Sequence, residues 1–232
     1  MTFELIVFDW DGTLMDSEAR IVNCLQAACC ELGVPSPPHA SARDVIGLGL
    51  DEAVMQLLPG ADSATRQAIM GRYRQHFLET DRTPSLLFPG VRETLGRLSG
   101  EGYRLAVATG KGRVGLDRAL ADTGLRDLFL ATRCADETLS KPHPQMLLEL
   151  MDELGVDPAQ TLMVGDTEYD MQMASNARTQ ALAVAYGVHA PERLMLHGPL
   201  DCLDTLSGLP EWLARNGRRD GARSDRPDGG QR

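Results

Sequence analysis

The sequence lacks the features that mark membrane-spanning and disulfide-stabilised proteins. None of its apolar runs approaches the roughly eighteen residues that a transmembrane helix needs, and no positively charged, cleavable leader precedes the first apolar segment. The five cysteines are odd in number, are scattered along the chain and include no Cys-x-x-Cys pair. We therefore expect a soluble, cytoplasmic protein that is neither exported nor inserted into a membrane.

Positive charge is also scarce. The chain carries 23 lysines and arginines against 33 aspartates and glutamates, which gives a formal net charge of -10. Such a charge repels polyanions, so general nucleic-acid binding is not expected. A small anionic substrate would need a local cationic pocket, which a metal ion and one or two lysines could supply.

Three apolar segments each end in a polar side chain. The segments with their terminal residues are Leu5 to Phe8 with Asp9, Leu105 to Ala108 with Thr109, and Thr161 to Gly165 with Asp166. Nearly continuous apolar strands that alternate with helical stretches are typical of a parallel sheet covered on both faces, and such sheets bind ligands at the carboxyl ends of their strands. The sequence therefore predicts an α/β fold with a Rossmann-like parallel sheet and with these three polar residues on one rim.

The segment after the first strand has a different character and reads as helices throughout. Ser17 is expected to cap the first of these helices, and Gly33 to end it. A helical insertion at this place would lie over the rim as a lid. The expected units are an α/β core of residues 1–15 and 85–214, a helical cap of residues 16–84, and a disordered tail of residues 215–232.

The first strand ends in two carboxylates that are two residues apart. Asp9 and Asp11 surround Trp10, and Gly12 then permits a sharp turn of the chain. Two acids at the carboxyl end of a buried strand form a suitable site for a divalent cation and a phosphoryl group. We expect the chemistry of the protein to take place here.

Four motifs follow one another along the chain in a familiar order. They are Asp9-Trp10-Asp11-Gly12-Thr13, Thr109-Gly110-Lys111, Lys141-Pro142-His143-Pro144 and Gly165-Asp166-Thr167-Glu168-Tyr169-Asp170. With these motifs the chain resembles a phosphatase of the haloacid dehalogenase superfamily, in the phosphoglycolate phosphatase-like subgroup with a small helical cap. The resemblance extends to about residue 214.

The resemblance implies a role for the acids of these motifs. Asp9 would be the nucleophile, and Asp11 would protonate the departing alcohol and later take a proton from the attacking water. Mg²⁺ would be held by Asp9, by the backbone carbonyl of Asp11 and by Asp166. Asp170 would orient Lys141 or a water molecule on the metal.

The resemblance also implies contacts to the phosphoryl group. Lys141 would neutralise charge on Asp9 and on the transferring group, and Thr109 would hydrogen-bond a phosphoryl oxygen. The expected phosphate-binding residues are Gly12, Thr13, Thr109, Gly110 and Lys141. Lys111 is expected to be a surface charge or an indirect contributor, since no nucleotide-binding P-loop pattern surrounds it.

The substrate is less well defined than the reaction. A small-molecule phosphate monoester is expected, with 2-phosphoglycolate favoured by the resemblance, and Arg43 in the cap is expected to contact the leaving group. A β-phosphoglucomutase-like sugar phosphomutase, a pyrophosphatase and a nucleotidase of the same superfamily remain open. A dehalogenase would need neither Asp11 nor a metal, so the motif argues against that activity.

Overall fold

The computed structural model describes residues 3–216, and a six-stranded parallel sheet forms its centre. Its strands are β1 (Leu5–Phe8), β4 (Arg104–Thr109), β5 (Ala131–Cys134), β6 (Thr161–Gly165), β7 (Gln180–Val184) and β8 (Cys202–Leu203). The strand order is β5-β4-β1-β6-β7-β8, so β1 pairs with both β4 and β6. The predicted Rossmann-like α/β architecture is confirmed.

Helices cover both faces of this sheet. They are α5 (Val91–Gly100), α6 (Arg113–Thr123), α7 (Gln145–Leu154), α8 (Glu168–Asn176), α9 (Pro191–Met195) and α10 (Leu209–Asn216). Because successive side chains of a strand point to opposite faces, Ile6 and Phe8 pack with α5, α6 and α10, whereas Leu5 and Val7 pack with α7 and α8. The central strand is therefore buried on both sides, and its carboxyl end is fixed rigidly.

A helical unit lies between two short strands that pair with each other. β2 (Met15–Asp16) and β3 (Leu86–Leu87) form an antiparallel pair where the chain leaves and rejoins the core. Between them are α1 (Glu18–Glu31), α2 (His39–Asp44), α3 (Leu50–Leu57), α4 (Ser63–Gln75) and a π-helical segment, His76–Thr80. Their apolar faces form a separate cluster. The cap boundaries expected from the sequence, residues 16 and 84, fall at β2 and shortly before β3.

Two details differ from the sequence interpretation or extend it. Ser17 precedes α1, but its hydroxyl makes no capping hydrogen bond and instead donates to the Asp11 carboxylate. The last helix continues through Asn216, two residues into the segment expected to be a disordered tail. The rest of that tail lies outside the described residues.

Candidate active site

The rim of the sheet brings together the polar residues that end three neighbouring strands. Asp9 follows β1, Thr109 ends β4 and Asp166 follows β6. All three are almost completely buried. The adjacency of these strands places residues that are far apart in the chain at one end of the fold, as the sequence pattern predicts.

Lys141 joins two of the acids at this rim. It lies in the loop between β5 and α7, at a cis Lys141–Pro142 peptide bond. Its ammonium nitrogen lies 2.8 Å from Oδ1 of Asp9 and 2.7 Å from Oδ1 of Asp170. The other oxygen of Asp170 accepts hydrogen bonds from the backbone amide and the hydroxyl of Thr167. Both oxygens of Asp170 are thus engaged, and the carboxylate positions Lys141.

The pKa shifts of the buried acids at the rim indicate that additional positive charge would stabilise them. Burial raises the pKa of Asp9 well above its ordinary value, and the neighbouring carboxylates raise it further while Lys141 lowers it. Burial, together with Asp170, raises the pKa of Asp166 to about 7. For Lys141, Asp170 and Asp9 raise the pKa and outweigh the opposing effect of burial. One ammonium group therefore faces three buried carboxylates.

The same acids fit a divalent cation. Among residues 3–216, Asp9, Asp166 and Asp170 can each place a carboxylate oxygen within 4.8 Å of the others. Oδ2 of Asp9 is buried and has no hydrogen-bond partner among the described residues, so it can accept a metal ion. Gly12 has φ +84°, and a Cβ there would overlap the Asp166 carboxylate. Hard oxygen donors of this kind suit Mg²⁺.

Asp166 is held firmly in position for this role. Its Oδ1 accepts a hydrogen bond of 2.7 Å from the Thr13 hydroxyl, and its Oδ2 accepts one of 2.7 Å from the backbone amide of Val188. The amide of Gly12 donates to the carbonyl of Met15. In this structure the Thr13 hydroxyl and the Gly12 amide therefore have partners other than phosphate, and their part in phosphate binding stays a prediction.

The Asp11 carboxylate lies apart from the acidic group and has partners of its own. Its Oδ1 accepts a hydrogen bond of 2.5 Å from the Ser17 hydroxyl, and its Oδ2 lies 2.9 Å from the Lys111 ammonium. The Lys111 side chain is only 6% exposed, and its nitrogen lies 4.3 Å from the centroid of the Phe77 ring in the cap. Lys111 is thus a buried partner of Asp11, not a surface charge.

The composition of the sequence could have indicated that Lys111 belongs to the site. Of the 23 basic residues, 21 are arginines and only Lys111 and Lys141 are lysines. Both lysines lie at this rim, each against one acid of the first motif. In a chain that uses arginine almost everywhere else, the two exceptions mark the site.

A cavity of about 460 Å³ lies between the rim and the cap. Asp9, Asp11, Thr109 and Lys111 line its floor, and the Thr109 hydroxyl also accepts a hydrogen bond from the Lys111 amide. Gly110 permits the cap to approach, because a Cβ there would overlap backbone atoms of Gly47 and Leu48. The cavity thus connects the buried acids with the helical cap.

Arg43 does not line this cavity. Its guanidinium donates to Glu18 at 2.9 Å and to the carbonyl of Gly187 at 3.1 Å, so it ties the cap to a core loop. The structure therefore does not bring Arg43 to the leaving-group region where the sequence analysis expects it.

Comparisons with known proteins agree with this geometry. Residues 6–184 match the sequence model of the haloacid dehalogenase-like hydrolase family, and the chain belongs to that family. It is 39% identical over 208 residues to Probable phosphatase IndB of Dickeya dadantii, covering 88% of this chain and 90% of that protein. It is 32% identical over 213 residues to the plasmid-encoded phosphoglycolate phosphatase of Cupriavidus necator, covering 90% and 92%.

A solved structure supports the same assignment. The fold is similar to that of a predicted phosphoglycolate phosphatase from Haemophilus somnus, with a TM-score of 0.81 and 25% identity over 91% of this chain and 98% of the other. The resemblance drawn from the four motifs is thereby confirmed, as is the expectation of an enzyme of this hydrolase family. Within residues 3–216, no helix combines the length and the apolar character needed to cross a bilayer.

Proposed function

We propose that this protein hydrolyses a small-molecule phosphate monoester through an aspartyl phosphate on Asp9, with Mg²⁺ as its cofactor. The observation that carries the proposal is the environment of Asp9. One carboxylate oxygen is bound by Lys141 at 2.8 Å and by the backbone amide of Trp10 at 2.6 Å, while the other has no partner among the described residues. A carboxylate fixed in this way at a cavity floor is oriented for attack on phosphorus.

The reaction proceeds in two transfers. In the first, a carboxylate oxygen of Asp9 forms a bond to phosphorus, the bond from phosphorus to the ester oxygen breaks, and the protonated Asp11 gives its proton to the departing alcohol. In the second, Asp11 takes a proton from water, the water oxygen bonds to phosphorus, and the Asp9 carboxylate leaves. Asp11 ends protonated, and inorganic phosphate is released.

The cation would be held by Asp9, by Asp166 and by the backbone carbonyl of Asp11. Asp170 belongs to the same acidic group, but Lys141 and Thr167 already engage its oxygens. When bound, Mg²⁺ offsets the negative charge that Asp9 and a phosphate dianion bring together. Lys141 would contribute to the same task, and Thr109 would hydrogen-bond a phosphoryl oxygen.

The test is a screen of phosphate esters with and without Mg²⁺, using wild type, Asp9→Asn and Asp127→Asn. Asp127 is an exposed acid far along the chain and serves as a control of matched chemistry. We expect wild type and the control to release phosphate, and Asp9→Asn to release none and to form no phosphoryl adduct by mass spectrometry. Transfer to a second sugar hydroxyl in place of phosphate release would favour the phosphomutase alternative.

The setting of the reaction follows from the cysteines. All five are unpaired in the structure, which suits a reducing compartment. We place the enzyme in the cytoplasm on this ground.

A further inference from the structure

The cap wall of the cavity is mainly apolar. The apolar side chains that line it above the acidic floor include Ile21, Leu25, Ile46, Met70, Phe77 and Leu78. A cavity of about 460 Å³ falls within the range of roughly 300–1,000 Å³ that is typical of pockets for drug-sized ligands. Phosphoglycolate, whose leaving group has two carbon atoms, would leave much of this wall without a contact.

The cations near the cavity are already paired or lie at its exposed edge. Lys111 is held by Asp11 at 2.9 Å, and Arg20 donates to the backbone carbonyls of Phe77 and Asp81. Arg43 is bound to Glu18 outside the cavity. Arg74 lines the opening but is exposed to solvent.

The remaining charged residues of the wall are acidic. Half-buried Glu52 lines the cavity in addition to the two acids of the floor, and Asp51 and Asp136 line its exposed edge. A carboxylate on the leaving group would lose its water in an apolar cleft whose buried cation, Lys111, is already bound by Asp11, and it would approach the half-buried Glu52. Burial of an unpaired charge in such surroundings is strongly unfavourable.

We propose that this cavity selects phosphate monoesters whose leaving group is an uncharged alcohol with an extended apolar body, and that it disfavours leaving groups that carry a carboxylate. The inference rests on the proposed function and narrows its substrate class. The preferred substrate would differ from the phosphoglycolate in the name of the Cupriavidus necator relative. The acids of the cavity floor are expected to serve both kinds of substrate.

The first experiment compares esters of primary alcohols on the wild-type enzyme with Mg²⁺. The substrates are ethyl phosphate, 2-phosphoglycolate and 2-phenylethyl phosphate, with acetyl phosphate as a probe that needs little leaving-group recognition. We expect kcat/KM for 2-phenylethyl phosphate to exceed that for 2-phosphoglycolate by about tenfold or more, because its apolar body contacts the wall and it carries no carboxylate. Equal or better use of 2-phosphoglycolate would overturn the inference while leaving phosphatase activity established. Absence of hydrolysis of all four, acetyl phosphate included, would instead contradict the proposed function.

The second experiment changes the wall itself and uses two matched methionine variants in the cap. Met70 lines the cavity, whereas Met55 on α3 is half exposed and lies outside it. Met70→Ser is expected to lower the ratio of kcat/KM for 2-phenylethyl phosphate to that for ethyl phosphate by about fivefold, and Met55→Ser to leave this ratio unchanged. Because the measured quantity is a ratio within one variant, a change in the active fraction cancels. An unchanged ratio in Met70→Ser would overturn the assignment of this wall to the leaving group.

Discussion

Asp11 differs from the other acids of the site in the groups that contact its carboxylate. Asp9 and Asp166 lie among carboxylates, whereas Asp11 is bound by a hydroxyl and an ammonium that come from opposite sides of the cap boundary. A general acid must aim its proton at the departing oxygen, so groups that fix its orientation contribute to the rate. In the proposed mechanism Lys111 would be such a positioning residue, and the ring of Phe77 covers its ammonium from the cap.

Replacing Lys111 by Met tests this role through the leaving group. The variant keeps the length of the side chain but frees the Asp11 carboxylate, so proton donation should suffer most. We expect kcat/KM to fall by about a hundredfold for ethyl phosphate, a typical value for loss of general acid catalysis. Acetyl phosphate, whose leaving group departs as a stable anion, should lose far less.

Lys111→Arg, which retains the positive charge, should recover part of the activity on ethyl phosphate. A loss of equal size on both substrates would show that Lys111 acts elsewhere than on proton transfer. A loss confined to 2-phosphoglycolate would show that Lys111 binds a substrate carboxylate, which the pairing with Asp11 argues against.

At the scale of elements, one of the places where the cap contacts the core is the loop of residues 47–49. Gly47 and Leu48 lie against Gly110, and the amide of Gly49 donates a hydrogen bond of 2.7 Å to the Ser140 hydroxyl. Ser140 immediately precedes Lys141, so the contact joins the cap to the loop that carries the ammonium bound to Asp9. The position of the cap and the geometry of the floor are therefore linked.

Gly110→Ala is expected to disturb this contact without unfolding the core. The added Cβ would overlap the backbone carbonyls of Gly47 and Leu48, which cannot rotate away, so the loop must move. We expect kcat/KM to fall by about tenfold, as small displacements of positioning groups commonly cause.

The matched control for this change is Gly96→Ala in α5. A Cβ at Gly96 meets no atom within 4 Å, and alanine is the better helix former by roughly 0.5–1 kcal/mol. This variant should keep wild-type kinetics and melt slightly higher. Wild-type kinetics in Gly110→Ala as well would mean that the cap loop can move without consequence for the reaction.

What the sequence could predict at this scale depends on whether the signal is local. A run of apolar residues that ends in Asp9, Thr109 or Asp166 predicts a strand with a polar residue at its carboxyl end. Parallel pairing of the strands then brings the three residues together. The partners of Asp11 carry no such signal. Ser17 stands at a helix start, where a hydroxyl can cap the helix or bind a carboxylate, and only the turn of the chain after Gly12 decides between them.

The cap residues were harder to predict for a related reason. Periodicity identifies which face of a helix is apolar, but the direction in which a cap leans over the core depends on contacts between segments distant in sequence. Arg43 illustrates this, since Glu18 and the carbonyl of Gly187 hold it outside the cavity. Tyr73 and Phe77 stack on each other in the cap, and both line the cavity.

For the whole molecule, we expect the buried acids to make stability depend on a bound cation. The pKa of Asp166 is raised from 3.8 to about 7 in the folded protein, so the folded state binds more protons than the unfolded state between these values. The metal-free protein should therefore lose stability as pH rises from about 4 to about 7. Above that range the Asp166 carboxylate is charged and gains most from a divalent cation.

Thermal unfolding of wild type and Asp166→Asn at pH 8 tests this dependence. Mg²⁺ at about 100 times its dissociation constant stabilises a folded protein by about 2.7 kcal/mol, which for a chain of this size raises Tm by about 5 to 10 °C. We expect this increase for wild type and for Asp127→Asn, and little or none for Asp166→Asn, which lacks one ligand. Without Mg²⁺, Asp166→Asn should melt at or above the wild-type temperature, because the amide removes a buried charge that Asp170 repels. An equal response to Mg²⁺ in all three proteins would mean that the ion binds elsewhere, and the three-acid group would then need another explanation.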